Sequence, residues 1–251
     1  MLGIGLFCGM ITGLLSVGGG IILVFSLMLL LPLISGTHFT MQTIAGLSIM
    51  QTVFSTASGG YFYIQNQLVD KIVVLRLGIP AFIGGMIGVI IASNSSDFIL
   101  RVIFAGLAIA AAVIMQIPNK PQEKHTSFHF SPLSSTLTVI AGLSIGTIGG
   151  LVGVAAGFIF VPLMIFVYKL PIKKAIGSSL ITCFLLAVGS FITKLSVEAV
   201  PLGYGIMLII GGVLGAQIGG RITLNLRSIT LKRFAAYSIL IISIKLFYDL
   251  F

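Results

Sequence analysis

Apolar runs of near-membrane length follow one another along the chain, at about 2–34, 39–60, 72–92 and 98–117, then at about 133–168, 172–193, 199–220 and 229–248. Each approaches the roughly 20 residues that a helix needs to span hydrocarbon. Polar residues collect between the runs. The most polar stretch, PNKPQEKHTSFHFSP from Pro118 to Pro132, parts the two sets and reads as an exposed linker. The pattern predicts an all-α polytopic membrane protein, with a first membrane repeat over 1–117, a linker over 118–132 and a second membrane repeat over 133–251.

Composition strengthens that reading. The 251 residues are 57% hydrophobic and only 8% charged, against roughly a quarter charged in a soluble domain. The mean hydropathy is +1.20. A formal charge of +9 then points to topology and anionic lipid headgroups rather than to nucleic acid. The apolar run that starts at Leu2 passes Leu33 without a basic region before it, so no cleaved signal peptide is expected. Cys8 and Cys183 lie in apolar segments and read as small core residues, with neither metal nor disulfide implied. His125 and His129 are four apart, but the Pro, Ser and Thr around them argue against a helix that would bring them together.

The two sets echo each other. Gly5, Gly9 and Gly13 match Gly142, Gly146 and Gly150 at one offset, and GLLSVGGGIILV aligns there with GLVGVAAGFIFV. AGLS (Ala45–Ser48) matches IGSS (Ile176–Ser179), IGGMIG (Ile83–Gly88) matches IGGVLG (Ile210–Gly215), and FILR (Phe98–Arg101) sits over ITLK (Ile229–Lys232). The order is kept throughout, which points to duplication.

Charge placement bears on orientation. Eight simple crossings would divide the basic residues almost evenly. If each long first segment instead enters and returns to the same side, one side collects Lys71, Arg76, Lys120, Lys124, Lys169, Lys173, Lys174, Arg221, Arg227, Lys232 and Arg233. The other keeps Arg101, Lys194 and Lys245. That asymmetry fits the positive-inside rule. Each half then has three full crossings after a broken or re-entrant glycine-rich segment, so the repeats are inverted. Both termini lie outside a plasma membrane, and the linker lies in the cytoplasm.

The run TGLLSVGGGIILV (Thr12–Val24) poses the functional question. No Lys follows the glycines as a phosphate-binding loop requires, and the nearest Asp is Asp70. A nucleotide site is therefore not expected. Glycine at every fourth position lets membrane helices pack closely, which accounts for Gly5, Gly9 and Gly13 and for Gly142, Gly146 and Gly150. Three adjacent glycines do not lie on one face. Gly18, Gly19 and Gly20 read better as a helix break, whose following half-helix turns amide donors and partial positive charge toward an anion.

Nearby uncharged polar residues can bind an oxyanion without burying a fixed charge. The candidates are Ser16, Ser48, Gln51 and Thr52 in the first half and Gly157, Ser178, Ser179, Thr182 and Gln217 in the second. Single Ser and Thr residues in membrane helices often bond only their own backbone. No acid stands out within a predicted span: Asp70, Asp97, Glu123, Glu198 and Asp249 lie at or near segment ends. A carboxylate relay at midplane is thus not visible, which favours an anionic or neutral substrate over cation exchange. Lys194 and Arg221 read as ordinary interfacial charges, with an anion entrance as the alternative.

These segments resemble the TauE/SafE family of membrane transporters. GLLSVGGGIILVF (Gly13–Phe25) carries the family's glycines with Phe25 where proline is usual. GLVGVAAGFIFVP (Gly150–Pro162) keeps Val161-Pro162 but has Ala155-Ala156 in place of two glycines. AGLS and KKAIGSSL (Lys173–Leu180) meet the small-residue stretch that follows. The resemblance implies a two-half membrane fold that moves small, sulfur-containing anions, such as sulfite or organosulfonates, without a cofactor. The expected activity is secondary transport of such an anion by alternating access, not enzymatic catalysis, with a proton or sodium ion as candidate coupling partner. An anion channel and a non-transporting membrane scaffold are the competing classes.

Overall fold

The computed structural model describes residues 1–16, 19–35, 39–116, 132–154, 156–197 and 201–226. Among these residues the chain is all helical: α1 Leu2–Leu15, α2 Gly19–Ser35, α3 Met41–Gln65, α4 Lys71–Ser93, α5 Asp97–Gln116, α6 Pro132–Val152, α7 Gly157–Phe166, α8 Ile172–Val197 and α9 Leu202–Asn225. Three of them, α4, α8 and α9, are long and apolar enough to cross a membrane by length and composition. The linker histidines, His38 and the end of the chain from Arg227 lie outside the described residues.

Local sequence explains several helix ends. Thr40 caps α3, its hydroxyl accepting from the Thr43 amide, and Asp70 caps α4 by accepting from the Val73 amide. Asp97 ties α5 to the start of α3: one carboxylate oxygen accepts from the Met41 amide, and the other pairs with Arg101 at 2.6 Å. Outward faces carry Ile72, Leu75, Ile79, Ile83 and Ile90 of α4 and Leu202, Ile206, Ile210 and Leu214 of α9, all exposed. In a lipid-facing helix such residues need no further cover.

The glycine stripes pack as their spacing predicts, and the partner in each case lies in the other half. Gly5, Gly9 and Gly13 of α1 lie directly on Leu208, Gly212 and Ala216 of α9. A Cβ on Gly9 would stand 2.6 Å from the Gly212 Cα, so no side chain fits there. Gly142, Gly146 and Gly150 of α6 lie in the same way on Leu77, Ala81 and Gly85 of α4, with a Cβ on Gly146 only 2.7 Å from the Ala81 Cα. Backbone-to-backbone contact of this kind is the usual use of small residues between membrane helices.

Two three-helix bodies result, each drawn from both halves: α1, α3 and α9, and α4, α6 and α8. Polar bonds reinforce the first. Gln217 on α9 donates to the Ser58 carbonyl and hydroxyl of α3 at 2.9 and 3.0 Å. Thr223 donates to the Leu14 carbonyl at 2.9 Å, and Tyr63 donates to the Gly13 carbonyl at 3.0 Å. The bodies meet where α3 crosses α8, with Gly59 against Leu180 and Gly177 against Tyr63.

Candidate functional site

Both halves break at the same place. α1 ends at Ser16, whose backbone turns left-handed with φ 53°, and the Ser16 amide closes the turn on the Thr12 carbonyl at 2.7 Å. At the equivalent point after α6, Gly153 is left-handed with φ 76°, and the Val154 amide reaches back to the Gly149 carbonyl at 2.9 Å. Glycine takes that conformation freely, whereas serine is strained in it. Helix α2 restarts at Gly19 and α7 at Gly157. Ala156, just before α7, is also left-handed at φ 50°. Strain held at two such points is characteristic of sites where backbone geometry serves a purpose beyond packing.

The two breaks touch. The Ser16 carbonyl occupies the space a Cβ on Gly157 would need, and Gly153 packs on Ala45 of α3, 2.6 Å from the Ala45 Cα to the missing Cβ. The Ser16 hydroxyl donates to that of Ser179 on α8 at 3.1 Å. Between these elements lies a cavity of about 10 Å³, lined by Thr12, Ser16, Gly19, Gly20, Thr52, Thr56, Val154, Gly157, Phe158 and Cys183. That volume is about one water molecule, so the site is closed in this conformation. The first amides of α2 have no partner four residues earlier within the helix, and Gly19 and Gly20 bring that helix end to the cavity wall.

The residues singled out from the sequence are distributed as follows. Ser16, Gly19, Gly20, Thr52 and Gly157 line the cavity, and Ser179 joins them through its bond to Ser16. Gly18 lies outside the described residues. Ser48 and Gln51 are fully buried on α3, and Ser48 Oγ and Gln51 Nε2 have no hydrogen-bond partner among the described residues. Ser48 falls between Ala45, which meets the second break, and Thr52, on one helical face. Ser178 accepts from the Asp70 amide at 2.8 Å and Thr182 donates to the Ser178 carbonyl at 3.0 Å. Gln217 is held by Ser58, at the contact of α9 with α3.

Thr12, Thr56, Val154, Phe158 and Cys183 also line the cavity, although the sequence reading did not select them. Thr12 and Thr56 stand one helical turn from Ser16 and Thr52, and that spacing was the signal available. Thr12 donates to the Cys8 carbonyl at 2.9 Å and Thr56 to the Thr52 carbonyl at 2.6 Å. Backbone bonding and cavity lining are therefore compatible roles.

Lys194 lies in the last turn of α8 and is 2% exposed, so its charge is packed inside the protein at a helix end. The apolar run reaches only to about 193, but the helix continues to Val197 and carries the lysine inside. Arg221, by contrast, is exposed. Among the described residues no group of His, Cys, Asp and Glu is placed to hold a metal ion.

The family described as Sulfite exporter TauE/SafE matches residues 1–246. Among individual relatives, the chain is 25% identical to the Probable membrane transporter protein YunE of Bacillus subtilis (strain 168), over 98% of this chain and 96% of the relative. It is 27% identical to the Probable membrane transporter protein YdhB of the same organism, over 89% of each. It is 29% identical to a Probable membrane transporter protein of Xylella fastidiosa (strain 9a5c), over 87% and 82%. No solved structure matches the chain at a significant level.

Proposed function

The chain belongs to the sulfite exporter TauE/SafE family, and from that premise we propose that this membrane transporter moves a small sulfur-containing anion, a sulfur oxyanion or an organosulfonate. One observation carries the reading. Two helix breaks, one from each half, meet at a buried cavity walled by hydroxyls and a helix N-terminus. Such a wall offers an oxyanion the partial positive charge at the start of α2 and the Thr52 hydroxyl, and Thr12, Ser16 and Thr56 can add donors once they turn from the Cys8 carbonyl, the Ser179 hydroxyl and the Thr52 carbonyl; among the described residues it contains no carboxylate that would repel one.

The closed cavity favours alternating exposure over an open channel. In this proposal the repeats are inverted, the termini lie outside, and opening separates the body formed by α1, α3 and α9 from that formed by α4, α6 and α8. Glycine stripes hold each body together at backbone distance, and the bodies join through fewer contacts: Gly153 on Ala45, Gly177 on Tyr63 and the Ser16–Ser179 bond. Inverted repeats with broken helices at the substrate site are a recurrent transporter plan.

Flux into proteoliposomes tests this directly, with sulfite, sulfate, thiosulfate and methanesulfonate beside chloride, under imposed proton or sodium gradients. Saturable movement of a sulfur anion is expected, falling at least tenfold in a Thr52→Val variant that purifies normally. Flux of none of them, or flux indifferent to Thr52→Val, would remove the assignment.

A further inference from the structure

The cavity's two sides differ in chemistry although their backbones correspond. Every hydroxyl that lines it among the described residues comes from the first half: Thr12 and Ser16 at the first break, and Thr52 and Thr56 on α3. The second half contributes Val154, Gly157, Phe158 and Cys183. Position by position the contrast is consistent. Thr12 corresponds to Gly149, Ser16 to Gly153, Thr52 to Cys183 and Thr56 to Ala187, so at each of these the second half has no hydroxyl.

The helix ends differ in the same sense. Gly19 and Gly20 bring the start of α2 to the cavity beside Thr12, whereas the start of α7 is covered at Gly157 by the Ser16 carbonyl. An oxyanion seeks donors and a positive helix end, and it avoids a carbonyl oxygen; Thr12, Ser16 and Thr56 now donate to the Cys8 carbonyl, the Ser179 hydroxyl and the Thr52 carbonyl, so each serves the ligand by turning its proton toward it. Both features place the charged group on the first-half side. The opposite wall suits carbon: Val154, Phe158 and Cys183 are all buried and apolar or weakly polar.

Resting on the transport reading above, we propose that the substrate is an anion with a small apolar end, bound in one orientation. Its oxyanion head meets Thr12, Ser16, Thr52, Thr56 and the start of α2, and its apolar end packs on Val154, Phe158 and Cys183. A bare oxyanion such as sulfite or sulfate leaves that second wall facing water or oxygen and is the poorer ligand.

The test is calorimetric titration of the purified protein with sulfite, sulfate, methanesulfonate, ethanesulfonate and propanesulfonate. Within the alkyl series the charge is constant and only carbon is added. Each methylene that reaches the apolar wall tightens binding about fourfold, and ethanesulfonate exceeds both bare oxyanions. In a Val154→Thr/Cys183→Thr variant the gain per methylene falls below twofold. In Thr52→Val all the anions weaken by a similar factor and the series keeps its slope.

Equal affinity along the alkyl series, sulfite or sulfate binding as tightly as ethanesulfonate, or a slope unchanged in the double variant would overturn the proposal while leaving anion transport standing. Binding of none of the five anions to folded protein would overturn the transport reading and this proposal together. The unsubstituted protein alone decides between most of these outcomes, whether or not every variant folds.

Discussion

Substituting alanine for Gly19 probes the first break at the position where the two halves have exchanged bulk. A Cβ there would overlap the Thr12 hydroxyl and stand 2.9 Å from the Thr12 Cβ and 3.0 Å from the Cys8 carbonyl oxygen. Carbon atoms in contact rest at about 3.5–4.0 Å, so Thr12 must move by more than half an ångström. It has little freedom to do so, being buried and bonded through its hydroxyl to the Cys8 carbonyl at 2.9 Å. Overpacking of this kind costs about 1–3 kcal/mol, and losing the hydroxyl's bond adds about 1 kcal/mol. Gly19→Ala is therefore expected to destabilise by about 3 kcal/mol, a fall of roughly 6–12 °C in Tm for a chain of this size.

The second half contains the compensated arrangement. Where the first half pairs Thr12 with Gly19, the second pairs Gly149 with Ala156, and a Cβ on Gly149 would stand 3.2 Å from the Ala156 Cβ. Thr12→Gly alone should cost about 2 kcal/mol, from the lost hydroxyl bond and from glycine within a helix. The double variant Thr12→Gly/Gly19→Ala copies the second half and should cost little more than Thr12→Gly alone. Additive losses would total about 5 kcal/mol, so the cycle's coupling should be about 3 kcal/mol, well outside the error of independent sites. The assay is thermal unfolding in detergent followed by loss of monodisperse protein. An additive cycle, or a Gly19→Ala variant as stable as the parent, would refute the steric argument.

Other substitutions test separate contacts. Gly9→Ala should abolish accumulation of folded protein, because the obstructing atoms are backbone of α9, whereas Gly3→Ala, with nothing within 4 Å among the described residues, should be silent in the same expression assay. Tyr63→Phe leaves the Gly13 carbonyl without its 3.0 Å donor and should lower stability by about 1–3 kcal/mol, read as a shifted midpoint. Ala156→Gly relieves a left-handed alanine at φ 50° and should raise stability by about 1 kcal/mol; a lowered Tm would show that the buried methyl matters more.

The sequence and the structure divide the explanation unevenly, and the division has physical reasons. A glycine at every fourth position announces a closely packed helix face, so Gly5, Gly9 and Gly13 were readable as contacts. Their partner was not, because α9 is some two hundred residues away and the pairing crosses from one half to the other. A break was expected in each half, and in the first at Gly18-Gly19-Gly20 because consecutive glycines serve no single face; the left-handed residue there is Ser16, and α2 already begins at Gly19. In the second half the left-handed residues are Gly153 and Ala156. Thr12 and Thr56 escaped notice because threonine in a membrane helix normally satisfies itself on its own backbone. Both do, and both still line the cavity.

The Ala155-Ala156 pair looked in sequence like a degraded copy of the glycine motif. Its meaning depends on the residue one turn before the break. Thr12 projects a hydroxyl into the space beside Gly19, so glycine is required there. Gly149 projects nothing, and Ala156 fills the room. Ala156 need not weaken the second break: there the bulk stands after the break, whereas in the first half it stands before the break, on Thr12, with a hydroxyl at the cavity. Each half is locally consistent, and the inequality appears only where the two meet. A chain of two corresponding halves can in this way keep a backbone break in each while making one wall of the cavity polar and the other apolar. On the transport mechanism proposed above, the corresponding breaks serve movement and the unequal side chains serve selection of what is moved.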